Sequence, residues 1–228
     1  MEEVLIEDIP FHIDMGAFKD WLPLVEGKRE GEQLRRVIAE SREIARPKAF
    51  YKISFIEDRG NDFVVIDGVR FNSRVMTVNL DNSHRVFPYL ITCGMELEEW
   101  GKSDDDMLFR VWAETIKEWA LVAALDALQR DLQKRYEPGK TATMNPGSIE
   151  DWPIEEQRSL FDLLGHGADS VGVQLMESCL MIPTKTVSGI QFPTEVSFES
   201  CQLCPRERCP GRRAQYDSGL YDRRYREK

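Results

Sequence analysis

The sequence predicts an α+β fold with a mostly antiparallel sheet, and three observations support this class. Strand-like segments crowd the first hundred residues, a long segment without Gly or Pro follows them, and a further helix and two short strands come after it. Strand and helix do not alternate regularly, as a doubly wound parallel sheet would require. With 228 residues, of which 42% are hydrophobic, the chain has enough apolar surface for one substantial core.

The first half is predicted to hold one helix and several short strands. Residues 29–46 carry an apolar face at helical spacing and end before a proline. Residues 50–56 are rich in aromatic and β-branched side chains, which predicts a strand. Residues 62–80 are predicted to form two or three short strands, with Asp67-Gly68 as a hairpin turn. Residues 86–92 are predicted to form a further strand.

The second half is dominated by one long predicted helix. Residues 103–106 supply an N-cap and an acidic first turn, and no Gly or Pro interrupts the chain from there to Glu137. At 1.5 Å per residue this helix would be roughly 50 Å long, and its two apolar stripes predict burial on more than one side. A polar loop then leads to a predicted helix over residues 153–164. Alternation over residues 171–175 and 186–190 predicts a hairpin.

Charge is divided unevenly along the chain. The 30 basic and 40 acidic residues give a net charge of −10, which argues against a general nucleic-acid-binding protein. Residues 201–228 nevertheless carry a net charge of +4, because they hold eight basic and four acidic residues. We therefore divide the chain into an α+β domain over residues 1–195 and a basic, cysteine-rich tail over residues 196–228. We expect residues 217–228 to be solvated and partly disordered.

The distribution of apolar and cysteine residues indicates the compartment. The N-terminal residues are acidic and lack the basic and apolar regions of a secretory signal. The longest strongly apolar stretch, residues 119–125, is too short to span a bilayer. Three of the five cysteines fall within nine residues, and in an intracellular protein this spacing indicates metal binding or thiol chemistry rather than disulfides. We therefore expect a cytoplasmic protein without a membrane partner.

Cys201, Cys204 and Cys209 form the strongest chemical motif. A Cys-x-x-Cys turn brings two sulfur atoms within reach of one metal atom, and a third cysteine five residues later can close around it. Cys179 is the first choice for a fourth ligand, because its strand leads through one hairpin return into the tail, while Cys93 and the three histidines are weaker choices. Thiolate ligands indicate zinc or an iron–sulfur cluster, which the spacing does not separate. The alternative is a set of free thiols, or a transient disulfide, in a frayed terminus.

A Pro-Gly loop precedes the helix predicted over residues 153–164. Asn145-Pro146-Gly147 fits a turn with Pro at its second and Gly at its third position, and a plain turn is the interpretation that composition alone favours. The helix that follows ends in Leu163-Leu164. After it come residues 171–183, which include Glu177 in a Glu-Ser-Cys-Leu-Met-Ile-Pro run, and a Val-Ser-Gly turn.

This succession resembles the activation (reactivation) domain of cobalamin-dependent methionine synthase. The family pattern is a Pro-Gly loop, a helix ending in Leu-Leu, then Gly-x-x-Leu-Thr-Glu-Ser-x-x-Met-x-Pro and a Ser-Val-Ser-Gly turn. Its order and spacing are similar to those of residues 145–190. Single-domain relatives also carry a Thr-Cys-Gly like Thr92-Cys93-Gly94. The resemblance implies a C-shaped α+β domain with a twisted antiparallel sheet and long helices.

In methionine synthase this domain binds S-adenosylmethionine and docks over the corrinoid cofactor. After cobalt oxidises to the cob(II) state, an electron donor and a methyl group from S-adenosylmethionine restore methylcobalamin. The resemblance thus implies a corrinoid protein or corrinoid methyltransferase as the partner, with cobalamin on the partner only. The ligand-site residues that it transfers to this chain are Pro146, Gly147 and Glu177, and Ser148, which follows the Gly, is the fourth candidate ligand residue.

Two departures from the family pattern affect this ligand site. The family has an Arg three residues before its Pro and a Tyr after its Gly, and Thr143 and Ser148 stand there instead. A cationic and an aromatic ligand contact are therefore missing. In addition, the cysteine tail replaces the segment that supplies a pair of tyrosines to the ligand in methionine synthase.

Three functions follow as hypotheses. The first is an accessory protein that docks on a corrinoid protein and assists reductive reactivation of its cobalt through a Cys-ligated iron–sulfur centre. The second is a non-catalytic module that binds a corrinoid protein and carries a structural zinc knuckle. The third is a reactivation domain that binds S-adenosylmethionine through backbone groups of the Pro146-Gly147 loop. The sequence contains no recognisable nucleophilic triad, phosphate-binding glycine loop or His/carboxylate metal cluster.

Overall fold

The computed structural model describes residues 2–14, 16, 28–209 and 211–226. The strands in this part are β1 (Glu3–Ile6), β2 (Lys48–Lys52), β3 (Ser54–Arg59), β4 (Phe63–Ile66), β5 (Val69–Asn72), β6 (Arg85–Thr92), β7 (Thr141–Met144), β8 (Gln174–Leu175), β9 (Met181–Ile182) and β10 (Thr186–Pro193). The helices are α1 (Lys28–Ile44), α2 (Arg74–Asn79), α3 (Met95–Trp100), α4 (Met107–Tyr136), α5 (Gln157–Leu164), α6 (Gly167–Val171) and α7 (Leu220–Arg224), with 3-10 turns at Ile154–Glu156 and Ser200–Gln202.

The main sheet is antiparallel and is built around β6. Along one edge of β6, β2 and then β3 pair with it. The register does not shift between them, since Tyr51 lies opposite Tyr89 and Ser54 lies opposite Val86. The other edge pairs with β10, which also pairs with β7. β1 extends the sheet from β2, and β4 and β5 extend it from β3. All strand pairs in the described ranges are antiparallel, which confirms the predicted α+β class.

Helices cover both faces of this sheet. Successive strand residues point to opposite faces, so neighbouring residues of one strand pack against different helices. Tyr51 and Tyr89 pack with the C-terminal half of α4, whereas Phe50 and Leu90 pack in the main core, to which α5 and α6 contribute. The N-terminal half of α4 packs with α1 and α3 in a further core, where Trp112 is fully buried. The long helix is therefore buried on more than one side, as predicted. No helix within the described ranges is both long and apolar enough to cross a membrane.

Local sequence signals predicted three elements correctly. The helix predicted over residues 29–46 is α1, and its apolar face is buried, with Leu34 and Ile38 at 0% and 3% exposure. Asp67 and Gly68 adopt φ of +45° and +80° and connect β4 to β5, as a hairpin turn with two left-handed residues requires. The strand predicted over residues 50–56 is interrupted only at Ile53, and its two parts keep the same register along β6.

Two predictions made in regions rich in β-branched residues were wrong. Residues 74–79, within the segment predicted to hold two or three short strands, form α2, whose first turn is capped by the Ser73 hydroxyl accepting from the Met76 N–H at 2.9 Å. This cap and the burial of Val75 in the main core override the strand propensity of the segment. Residues 171–175 and 186–190 do not form a hairpin, because β8 pairs with β9 while β10 joins β6 and β7.

The C-terminal tail is docked on the domain. Phe198 and Tyr225 are both part of the main core, and Tyr225 is 0% exposed. The Tyr225 hydroxyl donates to Asn79 Oδ1 at 3.1 Å, and its carbonyl oxygen accepts from Arg74 Nε at 2.8 Å. The expected disorder of the terminus was therefore wrong for residues 217–226, because a buried aromatic anchor holds them, although several of their side chains are exposed.

Candidate functional site

The predicted Pro-Gly loop is a tight turn that follows β7. The Ser148 N–H donates to the Asn145 carbonyl oxygen at 3.1 Å, and the Gly147 N–H donates to the Trp152 carbonyl oxygen at 2.8 Å. Gly147 has φ of +77°, a conformation that favours glycine. Pro146 is buried, Ser148 is half-buried and Gly147 is exposed. Of the predicted ligand-site positions in this loop, Gly147 and Ser148 are therefore accessible.

Asn145 ties this loop to the centre of the sheet. Its Nδ2 donates to the hydroxyl of Tyr89 and to the carbonyl oxygen of Ser188, both at 2.7 Å. Gly189 permits this approach, because a Cβ there would lie only 2.4 Å from Asn145 Nδ2. Gln157, at the start of α5, donates to the Ser188 hydroxyl. The loop, the helix after it and β10 thus meet at one residue.

Glu177 lies in the turn between β8 and β9 and is exposed. The turn is closed by the Met176 N–H, which donates to the Leu180 carbonyl oxygen at 2.8 Å. The guanidinium of Arg158 in α5 donates to the Glu177 carbonyl oxygen, so the link to the helix uses the backbone and leaves the carboxylate in solvent. That Glu177 shares a ligand site with the Pro-Gly loop stays a prediction.

Arg212 organises the cysteine loop of the tail. Its guanidinium donates to the carbonyl oxygens of Cys201 and Ala214 at 3.1 Å, of Cys204 at 3.2 Å, and of Arg206. The Cys204 N–H donates to the Cys201 carbonyl oxygen at 3.3 Å, which closes the Cys-x-x-Cys turn predicted from the spacing. The backbone of the loop is therefore folded around a guanidinium.

The tail thiols are half-buried and sit near a positive charge. The Arg213 N–H donates to Cys201 Sγ at 3.5 Å, and this bond lowers the pKa of the Cys201 thiol. Cys179 is 5% exposed and lies with φ of +64° in the β8–β9 turn. Among the residues that the structure describes, no three His, Cys, Asp or Glu side chains form a group that could hold a metal ion. The predicted site of Cys179 with Cys201, Cys204 and Cys209 is not assembled there and stays a prediction.

Cys93, a weaker choice for the fourth ligand, is a core thiol. It is fully buried in the core formed by α1, α3 and α4, whereas the tail packs on the main core. Burial raises the pKa of the Cys93 thiol to about 12. The thiol is therefore protonated near neutral pH, unlike the thiolate that a metal requires.

The tail lies close to the network of the Pro-Gly loop. Burial raises the pKa of Tyr89, and the hydrogen bond from Asn145 and the positive charge of Arg213 offset part of this effect. Arg213 itself is fixed by an ion pair, with its Nε 3.1 Å from Glu199 Oε2. The loop and the tail, predicted separately, are neighbours in the fold, because Ile149 and Leu203 line the same cleft.

Sequence analysis missed the residues that connect these parts. Asn145 was interpreted only as the first residue of a turn, although an Asn before Pro-Gly is also a side chain that can bond distant backbone. Gly189 could have been found as a glycine inside a predicted strand, which often marks a close approach of another backbone. For Arg212, one of eight basic residues in the tail, the sequence carries no distinguishing signal.

Comparison with known proteins identifies the fold. No family model and no curated protein matches the chain. A crystal structure of the MetH reactivation domain bound to AdoHcy is similar, with a TM-score of 0.64 over 88% of this chain and 81% of that chain. Sequence identity is 15%, so this likeness shows the fold. The α+β, activation-domain-like architecture predicted from the sequence is confirmed.

Proposed function

We propose that the chain is an accessory protein of a corrinoid-dependent methyltransferase system. It docks on a corrinoid protein and assists the reductive reactivation of its cobalt, while cobalamin stays on that partner. The fold of a MetH reactivation domain supports this proposal. The observation that carries it is the position of the tail, whose Leu203 and Tyr216 line one cleft with Ile149 of the Asn145 loop. A basic, thiol-bearing segment thus lies next to the loop that in the resembling family contributes to a ligand site.

The thiols of Cys201, Cys204 and Cys209 are the proposed ligands of an iron–sulfur cluster or zinc. The closed Cys-x-x-Cys turn and the lowered pKa of Cys201 both favour ligand thiolates. An iron–sulfur cluster would supply one-electron transfer, so that an external low-potential donor loses one electron and Co(II) becomes Co(I). Zinc would instead make a structural knuckle, which the anchoring of the tail by Phe198 and Tyr225 also supports.

Anaerobic purification followed by a visible spectrum and by iron, sulfide and zinc analysis tests the redox role. We expect a brown, oxygen-sensitive protein that contains iron and sulfide. Cys204→Ser should lose the metal, whereas Cys93→Ala, which alters a core thiol, should retain it. A colourless protein with one equivalent of zinc would exclude electron transfer and leave a non-catalytic docking module.

The docking step needs a separate measurement. The rate at which an artificial low-potential donor reduces the Co(II) form of a corrinoid protein should rise when this chain is added. Cys204→Ser should abolish the acceleration but preserve binding to the corrinoid protein in a pull-down. No binding by the wild-type chain would contradict the proposed partner class.

A second candidate function is S-adenosylmethionine binding, which the AdoHcy in the similar crystal structure favours. The N–H groups of Gly147 and Ser148 are already used inside the turn, so a ligand there would contact carbonyl oxygens or the Ser148 hydroxyl. Ser148→Tyr restores the aromatic residue of the family pattern and should strengthen binding. Calorimetry that detects no heat with S-adenosylmethionine at millimolar concentration for both proteins would exclude this function.

A further inference from the structure

We propose that a cleft between residues 149–151 and the tail binds an organic ammonium ion with apolar substituents, such as a quaternary ammonium group. The cleft has a volume of about 360 Å³. Binding pockets for small molecules begin at about 300 Å³, so a ligand of the size of choline fits. This proposal goes beyond the corrinoid function and does not depend on the metal content of the tail.

The walls of the cleft are aromatic and apolar. Tyr216 and Tyr221 line it from the tail and remain 47% and 40% exposed. Leu203 lies on the same side, and Val75 and Ile149 line it from the domain. A cation next to a tyrosine ring is attracted by the negative face of the ring, and apolar walls cover its alkyl groups. These walls therefore match a cation that carries methyl or alkyl groups.

The charge of the lining is negative. Glu150, Asp151 and Asp217 line the cleft, and the described lining residues include no Lys or Arg, although residues 201–228 have a net charge of +4. Asp217 is already paired with Arg223. The net negative charge offered to a ligand therefore comes from Glu150 and Asp151, which favours a cation over an anion or a neutral ligand.

Asp151 is held in a fixed orientation. Its Oδ2 accepts from the Val75 N–H at 3.0 Å and from the Ser73 hydroxyl, and its Oδ1 lies 3.5 Å from the Tyr221 hydroxyl. These donors are neutral, so none of them carries a positive charge that would offset that of a carboxylate. Arg74 and Arg226, whose charges act on Tyr221, do not line the cleft; Arg74 donates to two backbone carbonyl groups, and Arg226 pairs with Asp222. One aromatic wall and one anchored carboxylate are thus held together at the domain–tail junction.

A matched pair of probes tests the charge preference. Choline and 3,3-dimethylbutan-1-ol have nearly the same shape, but only choline is charged. In NMR or calorimetric titrations of the full chain we expect choline to bind with a dissociation constant on the order of 1 mM, and the neutral alcohol to bind at least about tenfold more weakly. Equal affinities, or no binding of choline, would overturn the proposal.

Variants of the lining locate the site. Tyr216→Leu should weaken choline binding about fivefold, while Tyr216→Phe, which keeps the ring, should leave it unchanged. Asp151→Asn should weaken binding further, and circular dichroism confirms that each variant is folded. Equal choline affinity for Tyr216→Leu and Tyr216→Phe would refute a role of the aromatic wall. The choline titrations involve no cobalt and no methyl transfer, so their outcome is independent of the corrinoid tests.

Discussion

Replacing Tyr225 with alanine tests whether the tail belongs to the folded core. The side chain is fully buried in the main core, and its hydroxyl donates to the buried Asn79 at 3.1 Å. The ring lies 6.0 Å from that of Tyr221, and the Tyr225 carbonyl oxygen accepts from Arg74 at 2.8 Å. Tyr225→Ala removes the ring and the hydroxyl, but it leaves the backbone bond to Arg74 available.

The expected loss of stability follows from burial and hydrogen bonding. Truncating a buried aromatic side chain to alanine costs about 3–5 kcal/mol, because the cavity closes only in part. Leaving the Asn79 oxygen without its donor costs about 1–3 kcal/mol in addition, although the two effects do not add fully. Tyr225→Phe removes only the hydroxyl, so it should cost about 1–2 kcal/mol.

Urea unfolding followed by circular dichroism measures both variants. A loss of about 4 kcal/mol corresponds to a fall in Tm of about 10 °C for a chain of this length. Tyr216→Ala is the matched control, because this tail tyrosine is 47% exposed and should change stability by less than about 0.5 kcal/mol. If Tyr225→Ala changes stability no more than Tyr216→Ala, the tail is not part of the core and the reasoning is refuted.

Two further substitutions test a buried ion pair and a close backbone approach. Burial alone raises the pKa of Glu98, but hydrogen bonds from Lys117 and two other donors outweigh this effect and lower the pKa to about 2. The contribution of Glu98, on the order of 3 kcal/mol, is therefore complete above the pKa of about 4.5 in the unfolded chain and is lost as the pH falls towards 2. Glu98→Gln should lower stability at neutral pH and make the fall in stability between about pH 5 and pH 2 less steep. Urea unfolding at a series of pH values measures this, and an unchanged dependence of the unfolding free energy on pH would contradict the assignment. Gly189→Ala should cost about 1–3 kcal/mol, because the new Cβ would lie 2.4 Å from Asn145 Nδ2. Gly31→Ala, in α1, should stabilise by about 0.5–1 kcal/mol, because among the described residues no atom outside its own stretch of helix lies within 4 Å of the new Cβ; thermal melts in which both variants shift in the same direction would count against this contrast.

The elements predicted correctly are those whose signals are local. α1 follows from apolar spacing, and the Asp67-Gly68 hairpin follows from a turn that needs two left-handed residues. β10 could not be placed from such signals, because its partners β6 and β7 are distant in the sequence. The sequence instead favoured pairing with residues 171–175, which are close along the chain. The choice between local and distant pairing depends on the burial of the whole sheet, which periodicity within one segment does not contain.

The candidate site shows the same limit. The Asn145-Pro146-Gly147 turn and the Cys201–Cys204 turn were predictable, since each is fixed by residues that adjoin in sequence. That the tail would share a cleft with residues 149–151 was not predictable, because this depends on how the tail returns to the domain. Tyr225 is the physical reason for this return, and in the sequence it is one aromatic residue within a charged segment.

The cysteine loop and the acidic cleft are mechanically connected through the tail. Phe198 and Tyr225 anchor the tail in the core on either side of the cysteine loop, and the Asp217 N–H donates to the Gln202 carbonyl oxygen at 2.9 Å. Gln202 lies within the Cys-x-x-Cys turn, whereas Asp217 lines the cleft. A ligand that binds only the folded arrangement of either part stabilises that arrangement by mass action. Choline and metal should therefore each raise the Tm of the chain, and both do so by stabilising parts that this backbone bond joins. Cys204→Ser should abolish the rise in Tm caused by metal, while choline still raises Tm.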